Sequence, residues 1–326
     1  MSNLFSIVMP AYNTATKIGK AISSIKKQTY SNWELIIVDD GSTDDTFQVA
    51  SNLSIGDTRI SVYKQENKGP GTARNFAISK ATGNYIAFLD SDDYWDRDFL
   101  LLINNVIKRN DSDVVFYDLI CENSQRQPIA VHRLSSFSDF PKERIIRVQM
   151  TGVLEWGMVK VIRKSLITSN SISFSENSVG EEAIFSFDVL RKAKTISFIN
   201  KPIYHYIQSS EGQHKKGGND PWWQAVARMR KHCKGIGVYS EYETTINSFA
   251  LRALCISCYR CSCFTFSKAN KMIKEKVKVY SKYYNFKKVD FSSLDCMAKT
   301  VLLLINHRVY FPIVLASKIK NWLRSN

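Results

Sequence analysis

Short apolar runs and longer amphipathic segments alternate along the first 118 residues. The apolar runs have the length and the β-branched or aromatic content of buried strands, and they cover residues 4–9, 33–38, 60–63, 85–89 and 114–117. Helical patterns lie between them, one ending at Lys27 and the others covering about 42–53, 70–80 and 99–107. Strands that alternate with helices of this length are typical of βαβ units. The pattern therefore predicts an α/β domain whose sheet is mostly parallel and flanked by helices.

The pattern changes after residue 118. Residues 122–140 are polar and irregular, and a strand at 159–162, a helix at 180–190 and a strand at 196–199 are predicted to follow. Turn signals at 217–218 and 220–221 then precede a region that has helical patterns to its end. We expect three parts: residues 1–118 and 119–217 as two halves of one α/β domain, and 218–326 as a helical C-terminal region.

Charge is distributed unevenly along the chain. The 326 residues are 44% hydrophobic and 23% charged, which is ordinary for a globular protein and excludes a disordered, collagenous or coiled-coil chain. The net charge of +15 comes from residues 200–326, which hold 22 basic and 7 acidic side chains, whereas residues 1–118 hold 12 and 15. This asymmetry indicates an anionic partner of the C-terminal region: nucleic acid, an anionic membrane surface or a phosphorylated substrate.

Neither a membrane span nor a secretory signal is predicted, because the chain has no run of 18 uncharged apolar residues and its first ten residues lack a basic segment before an apolar one. The seven cysteines are therefore expected to be reduced. The spacing of Cys255, Cys258, Cys261 and Cys263 is similar to part of an iron–sulfur signature. No further cysteine pair completes that signature, and the apolar surroundings favour thiols packed inside a helix.

Polar residues follow each predicted strand of the first half, where ligands bind in open parallel sheets. These segments are 10–13, 39–42, 67–69 and 90–93. The glycine-rich fingerprints of dinucleotide-binding folds and P-loops are absent. Asp90 and Asp92 offer hard oxygen ligands for Mg²⁺ or Mn²⁺; the alternative is that Asp92, Asp93 and Asp96 simply begin the next helix. Asp39 and Asp40 either bind a nucleobase N–H or form a turn and cap.

Four segments in this order carry a specific resemblance. SIVMPAYN, WELIIVDDGSTDDT, ENKGPGTARNFAI and GNYIAFLDSDDYW resemble the nucleotide-sugar domain of inverting family 2 glycosyltransferases of the bacterial surface-polysaccharide type. The resemblance covers about residues 4–118 and continues more weakly to about 215. It implies a GT-A fold, which is Rossmann-like with a mostly parallel sheet and flanking helices, followed here by the basic, mainly helical C-terminal region.

The resemblance also implies roles for residues in this half. Asp39 matches the acid that pairs with uracil, and Asp92, together with Asp90, matches the acids that hold Mn²⁺ or Mg²⁺. Arg74 matches a basic residue near the diphosphate; the alternative is a helix residue that forms a salt bridge with a nearby acid. The residues expected to bind the nucleotide sugar are Pro10, Ala11, Tyr12, Asn13, Asp39, Asp40, Lys68, Gly69, Arg74, Asp90 and Ser91.

In the second half, residues 180–185 resemble the family's Gly-Glu-Asp-x-x-Phe segment, whose second acid is the catalytic base. Glu182 stands where aspartate is usual, which leaves open whether Glu181 or Glu182 is the base. Both are otherwise acids at a helix start. Lys160 matches a lysine of the family, and His214 lies in a loop where some members place a histidine on the metal.

The function implied is a metal-dependent hexosyltransferase that inverts the anomeric carbon. It would move a hexose or N-acetylhexosamine from a UDP-sugar to a hydroxyl of a polyprenyl-diphosphate-linked saccharide, in O-antigen, capsule or exopolysaccharide biosynthesis. A cytoplasmic location at the inner face of the plasma membrane, with peripheral membrane contact and no nucleic-acid partner, is part of this expectation. The eight lysines of segment 268–288, and the lysine and tryptophan side chains that flank an apolar stretch in 297–322, fit an interfacial helix; the alternative is a solvated basic helix packed on the core. The alternative is a catalytically inactive member that serves as a scaffold in a polysaccharide synthase complex.

Overall fold

The computed structural model describes residues 2–154, 157, 159–175, 180–208, 221–261, 264–307, 312–313 and 315. The chain divides into two compact units. The first comprises residues 1–142 and 155–217, and the second comprises residues 143–154 and 218–326. Residues 143–154 thus group with the C-terminal helices, while the division of the sequence at 118 and 217 into functional parts stays a prediction.

The first unit contains one mixed sheet. Its strands are β1 (Phe5–Ala11), β2 (Trp33–Asp40), β3 (Ile60–Gln65), β4 (Tyr85–Phe88), β5 (Tyr94–Trp95), β6 (Val114–Glu122), β7 (Pro128–His132), β8 (Lys160–Arg163) and β9 (Ile196–Ile207). Their order is β3-β2-β1-β4-β8-β6-β9-β5, with β7 paired to β6. Strands β1 to β4 pair in parallel, as do β6 and β9, whereas β8 is antiparallel to β4 and β6. The α/β prediction is confirmed.

Helices follow the strands in the predicted alternation. They are α1 (Ile18–Lys26), α2 (Thr46–Ser54), α3 (Pro70–Lys80), α4 (Phe99–Asn110), α5 (Lys142–Met150), α6 (Lys164–Thr168), α7 (Glu181–Lys192), α8 (Pro221–Gly235), α9 (Tyr239–Arg260), α10 (Phe266–Tyr283) and α11 (Cys296–Asn306). All seven residues of β1 are buried, which is expected of a central parallel strand covered on both faces.

Two local features differ from the sequence-based expectation. Helix α2 begins at Thr46 and not near residue 42, because Ser42 and Asp44 accept hydrogen bonds from the backbone N–H groups of Asn13 and Ala15 at 3.0 and 3.1 Å. The irregular segment 122–140 contains β7, which pairs antiparallel with β6. That strand is largely exposed, so no apolar alternation signals it.

The second unit is helical around a buried stretch of α9. Ile246, Phe249 and Leu254 are buried there, as are the thiols of Cys255 and Cys258. Burial raises the pKa of Cys255 to about 12, as expected of thiols that pack as small apolar side chains. Cys263 lies outside the described residues. Among the helices that the structure describes, none is long and apolar enough to cross a membrane.

Candidate functional site

The ends of β1 and β2 lie side by side. Ala11 pairs with Asp39 in the parallel register, so segment 10–13 lies next to the end of β2. Asn13 has a φ of 52°. Its side-chain oxygen accepts a hydrogen bond from Thr43 N–H at 2.9 Å, which joins the loops that follow the two strands. Tyr12 is 43% exposed beside them, and Pro10 and Ala11 are buried.

Asp39 and Asp40 are adjacent but have different environments. Asp39 is fully buried, and its Oδ2 accepts from Ser42 N–H at 3.3 Å. Its Oδ1 is buried and has no hydrogen-bond partner among the described residues. A buried acceptor without a partner is costly, so this atom suits a ligand N–H.

Asp40, in contrast, holds the loop after β3. Its carboxylate accepts from Gln65 Nε2 at 2.7 Å, from Lys68 N–H at 2.9 Å and from Gly69 N–H at 2.8 Å. With its oxygens occupied in this way, Asp40 is arranged to position Lys68 and Gly69. Gly41 allows the close approach, because a Cβ at this position, where φ is +73°, would lie 2.8 Å from the backbone nitrogen of Asn67.

Arg74 on α3 joins the two halves of the first unit. Its Nη2 donates to Asp90 Oδ1 at 3.0 Å, and its Nη1 lies 3.0 Å from Glu182 Oε1 and 3.6 Å from Glu181 Oε1. The side chain is only 4% exposed. Burial opposes the charged guanidinium, but the three carboxylates outweigh it and raise the pKa of Arg74. The guanidinium of Arg74 is therefore held in place by these three acids.

Glu181 and Glu182 begin α7 but are not equivalent. Glu181 is buried against the first turn of α3, where a Cβ on Gly71 would lie 2.7 Å from Glu181 Oε2. The side chain of Glu182 is 32% exposed while it is paired with Arg74. A group that takes a proton from an incoming hydroxyl has to be within reach of it. Of the two side chains, that of Glu182 is the more accessible to an incoming group.

Segment 90–93 turns directly after β4, and its acids face different surroundings. Asp90 is 39% exposed, and the 33% exposed side chain of Asp92 has an oxygen 3.7 Å from Lys17 Nζ. Ser91 is buried. Burial, followed by the negative charge of Asp90, raises the pKa of Asp92.

Asp93 has a supporting position. Its carboxylate is buried and accepts from Tyr204 Oη at 2.6 Å and from Ile207 N–H at 2.8 Å, which ties the turn to β9. Burial and the neighbouring Asp90 and Asp92 raise the pKa of Asp93 well above its usual range. From the sequence alone Asp93 is a candidate acid at a helix start, and only the pairing of distant strands reveals its partners.

The oxygen donors of Asp90 and Asp92 fit a divalent cation. Both carboxylates are partly exposed, and their mutual repulsion is the kind that a cation relieves. Across the described part of the chain, no group of three or more His, Cys, Asp or Glu gathers to hold a metal. Two carboxylates suffice for Mg²⁺ or Mn²⁺ when phosphate and water complete the shell. His214, the third predicted ligand, lies outside the described residues.

Lys160 on β8 adds a buried amine to this charge cluster. Its Nζ donates to the backbone oxygen of Gly157 at 2.8 Å. Burial, helped by the positive charge of Arg74 and opposed by Glu182, lowers the pKa of Lys160 to about 7. Lys17 and Gly71 were not predicted as part of the site, since no local spacing distinguishes them from ordinary surface and turn residues. Asp93 was predicted only as a member of the polar segment 90–93, without a role of its own.

A model of one protein family matches half of the chain. The model described as Glycosyl transferase family 2 matches residues 6–168. The chain is 32% identical to the putative glycosyltransferase EpsH of Bacillus subtilis (strain 168) over 206 residues, which is 62% of this chain and 60% of EpsH.

A second relative has a more specific name. Over 125 residues, which is 37% of this chain and 48% of the relative, the chain is 43% identical to the Escherichia coli UDP-Glc:alpha-D-GlcNAc-diphosphoundecaprenol beta-1,3-glucosyltransferase WfgD. The chain thus spans less than two thirds of the length of either relative.

The fold is similar to that of a solved structure. S. aureus TarS 1–349 in complex with UDP-GlcNAc superposes with a TM-score of 0.67 at 20% sequence identity, covering 99% of this chain and 92% of that one. At this identity the similarity establishes the fold alone.

Proposed function

Because the chain belongs to glycosyl transferase family 2, we propose that it transfers a hexose or N-acetylhexosamine from a UDP-sugar to a hydroxyl of a lipid-linked saccharide. The single observation that carries the proposal is the position of Arg74, which contacts Asp90 of the acidic turn and Glu182 of α7 at 3.0 Å each. This contact brings the acidic turn that would bind the donor and the partly exposed carboxylate that would act as base to one place, and both are needed for such a transfer.

The donor nucleotide is held at the ends of β1 and β2. The unpartnered Oδ1 of Asp39 accepts the N–H of uracil, and segment 10–13 lines the nucleoside beside it. Asp40 keeps Lys68 and Gly69 next to this position through its three hydrogen bonds. TarS, whose fold is similar, has been solved with UDP-GlcNAc, and the name of WfgD includes UDP-Glc, which supports a uridine donor.

Asp92 and Asp90 would hold Mn²⁺ or Mg²⁺. The cation would supply positive charge against the negative charge that develops on the departing diphosphate. On the protein side, Lys17 lies next to Asp92 at 3.7 Å, and Asp93 keeps the turn fixed to β9.

Glu182 is the base in this mechanism. Its carboxylate takes the proton of the acceptor hydroxyl while that oxygen forms a bond to the anomeric carbon. The bond from that carbon to the diphosphate oxygen breaks, and the diphosphate leaves with the electron pair. Attack from the opposite face inverts the configuration. A positioned base contributes about 10²–10⁴-fold to such a step.

The acceptor class and the location are further parts of the proposal. The diphosphoundecaprenol in the name of WfgD supports an acceptor linked to a polyprenyl diphosphate in surface-polysaccharide synthesis. Such an acceptor lies in a membrane, and the strongly basic C-terminal region is compatible with work at the cytoplasmic face of the plasma membrane.

The test is thermal unfolding of the full chain with UDP, GDP, CDP or dTDP, each with Mn²⁺, Mg²⁺ or EDTA. Ligand at a hundredfold excess over Kd adds about 2.7 kcal/mol to the free energy of unfolding. We expect stabilisation by UDP with metal that is lost in EDTA, in Asp39→Asn and in Asp92→Ala. Absence of a shift with every nucleotide would overturn the proposal and favour an inactive scaffold protein.

A further inference from the structure

The solvent face of α10 carries a regular row of lysines. Lys271, Lys274, Lys278 and Lys282 are exposed and follow one another at intervals of three, four and four residues. With 3.6 residues per turn, they occupy an arc of about 80° along about 16 Å of the helix. The buried residues Ala269, Ile273, Val277 and Tyr280 lie on the opposite side. We call these four lysines the lysine row.

The row is not matched by acids of its own segment. Residues 268–288 contain eight lysines and a single acidic residue, Glu275. Neighbouring like charges on one face of a helix repel one another and weaken the helix. The lysine row is therefore unfavourable unless an anionic partner neutralises it. Its positive potential is available to an anionic surface.

Exposed apolar side chains accompany the lysines. Val279 is 46% exposed and Tyr283 is 54% exposed on α10, about 60° and 100° around the helix from Lys282, and the ring of Tyr283 lies 5.2 Å from that of Trp223. At the C-terminal end of α10 lies a surface pocket of about 460 Å³, whose lining includes Lys282, Tyr283, Phe286, Lys287 and Ile305. Basic groups next to aromatic and aliphatic ones match a lipid head group and the apolar layer directly beneath it.

We infer that the lysine row and the adjoining pocket form a docking surface for a membrane rich in anionic phospholipid. Charge complementarity favours this occupant, because regularly spaced lysines on one helix face meet a plane of phosphates. The adjoining pocket, lined in part by Tyr283 and Phe286, offers apolar surface at the end of the row. The apolar face of α10 stays packed in its own unit, so the helix touches the membrane without inserting. This inference does not depend on the proposed transferase activity.

Vesicle co-sedimentation of the full chain tests the inference. Neutral vesicles of phosphatidylcholine are compared with vesicles containing roughly 30% phosphatidylglycerol, at physiological salt and at about 500 mM NaCl. The test variant is K271E/K274E/K278E/K282E. The matched control is K27E/K64E/K108E/R109E, which makes the same change in net charge at exposed positions of the first unit.

We expect the wild type and the control to bind only the phosphatidylglycerol vesicles and to be released by high salt. Each lysine near an anionic surface contributes about fivefold in partition, so the test variant loses at least about 100-fold. Tyr283→Ser should lose binding in part. Melting temperatures and UDP binding of the variants verify that they fold.

Three results would overturn the inference. The first is an equal loss of vesicle binding in both charge variants, which would mean that net charge alone governs the binding. The second is that the wild type does not bind phosphatidylglycerol vesicles. The third is tight binding to a short DNA or RNA oligonucleotide without vesicle binding. Because vesicle binding is measured without donor or acceptor, its failure is distinguishable from failure of the proposed function.

Discussion

The Nη1 atom of Arg74 lies 3.0 Å from Glu182 Oε1, although the two residues are 108 positions apart in the chain. The same guanidinium donates to Asp90 Oδ1, so one buried cation fixes the positions of the acidic turn and of the candidate base. The guanidinium is surrounded by carboxylates of its own chain, which is the salt-bridge alternative that the sequence left open. A contact of Arg74 with the diphosphate stays a prediction.

Replacement of Arg74 by alanine is expected to destabilise the fold by about 3 kcal/mol, because the buried carboxylate of Glu181 and the partly exposed ones of Asp90 and Glu182 lose their counter-charge. Arg74→Lys keeps a charge but cannot reach Asp90 and Glu182 together, so it should retain more stability while turnover falls. Urea unfolding and kcat measure the two effects. Arg59→Ala, which removes a partly exposed ion pair with Asp57, is the control and should cost below about 1 kcal/mol. Equal costs for Arg74→Ala and Arg59→Ala would contradict the prediction.

Substitution of the two glutamates at the start of α7 should affect two different properties, activity for Glu182 and stability for Glu181. Glu182→Gln removes the proton acceptor and is expected to lower kcat by about 10²–10⁴-fold while the Kd for UDP stays close to that of the wild type. Glu181→Gln changes a buried carboxylate next to Gly71, so its main effect should be on the melting temperature. Steady-state kinetics together with UDP titration measure both. A Glu181→Gln protein that is stable but inactive, beside an active Glu182→Gln protein, would reverse the assignment.

Gly71 is expected to tolerate no side chain. A Cβ there would lie 2.7 Å from Glu181 Oε2, and overpacking of this kind costs about 1–3 kcal/mol. The gain in helix propensity from glycine to alanine, about 0.5–1 kcal/mol, is smaller, so Gly71→Ala should be destabilising. Gly235→Ala at the end of α8 meets nothing within 4 Å and is the control. The measurement is the denaturant midpoint of unfolding of both variants. A Gly71→Ala protein as stable as the control would contradict the prediction and show that Glu181 moves aside freely.

Lys160 should make the stability depend on pH. Burial lowers its pKa from 10.5 to about 7, so between these values the unfolded chain binds the proton that the folded chain lacks. The free energy of unfolding therefore rises with pH above 7, and below 7 the contribution of Lys160 no longer changes. Lys160→Met should remove this rise. The measurement is urea unfolding of both proteins between about pH 6 and 9, and parallel curves would contradict the lowered pKa.

Much of the first unit could be predicted from local sequence. The apolar runs located β1 to β4, and the segments between them located the intervening helices, within a few residues. Strands that are buried on both faces of a parallel sheet are continuously apolar, so local sequence is enough to recognise them. The polar segments after those strands identified the edge of the sheet at which Asp39 and Asp90 lie. The helical, basic character of the C-terminal region was also readable, and α10 and α11 lie where the pattern predicted helix.

The sequence by itself therefore determined the alternation of elements, the edge of the sheet that bears the polar residues, and the location of the positive charge. Only the tertiary structure decided which charges meet. Within the described part of the chain, Asp40 holds a loop while Asp39 Oδ1 has no hydrogen-bond partner, Glu181 is buried while Glu182 is partly exposed, and Arg74 contacts acids of both halves. The physical reason is the separation along the chain of the residues that determine each property. Periodicity and strand ends depend on neighbours along the chain, whereas burial and ion pairing depend on side chains that the sheet brings together from a hundred residues away.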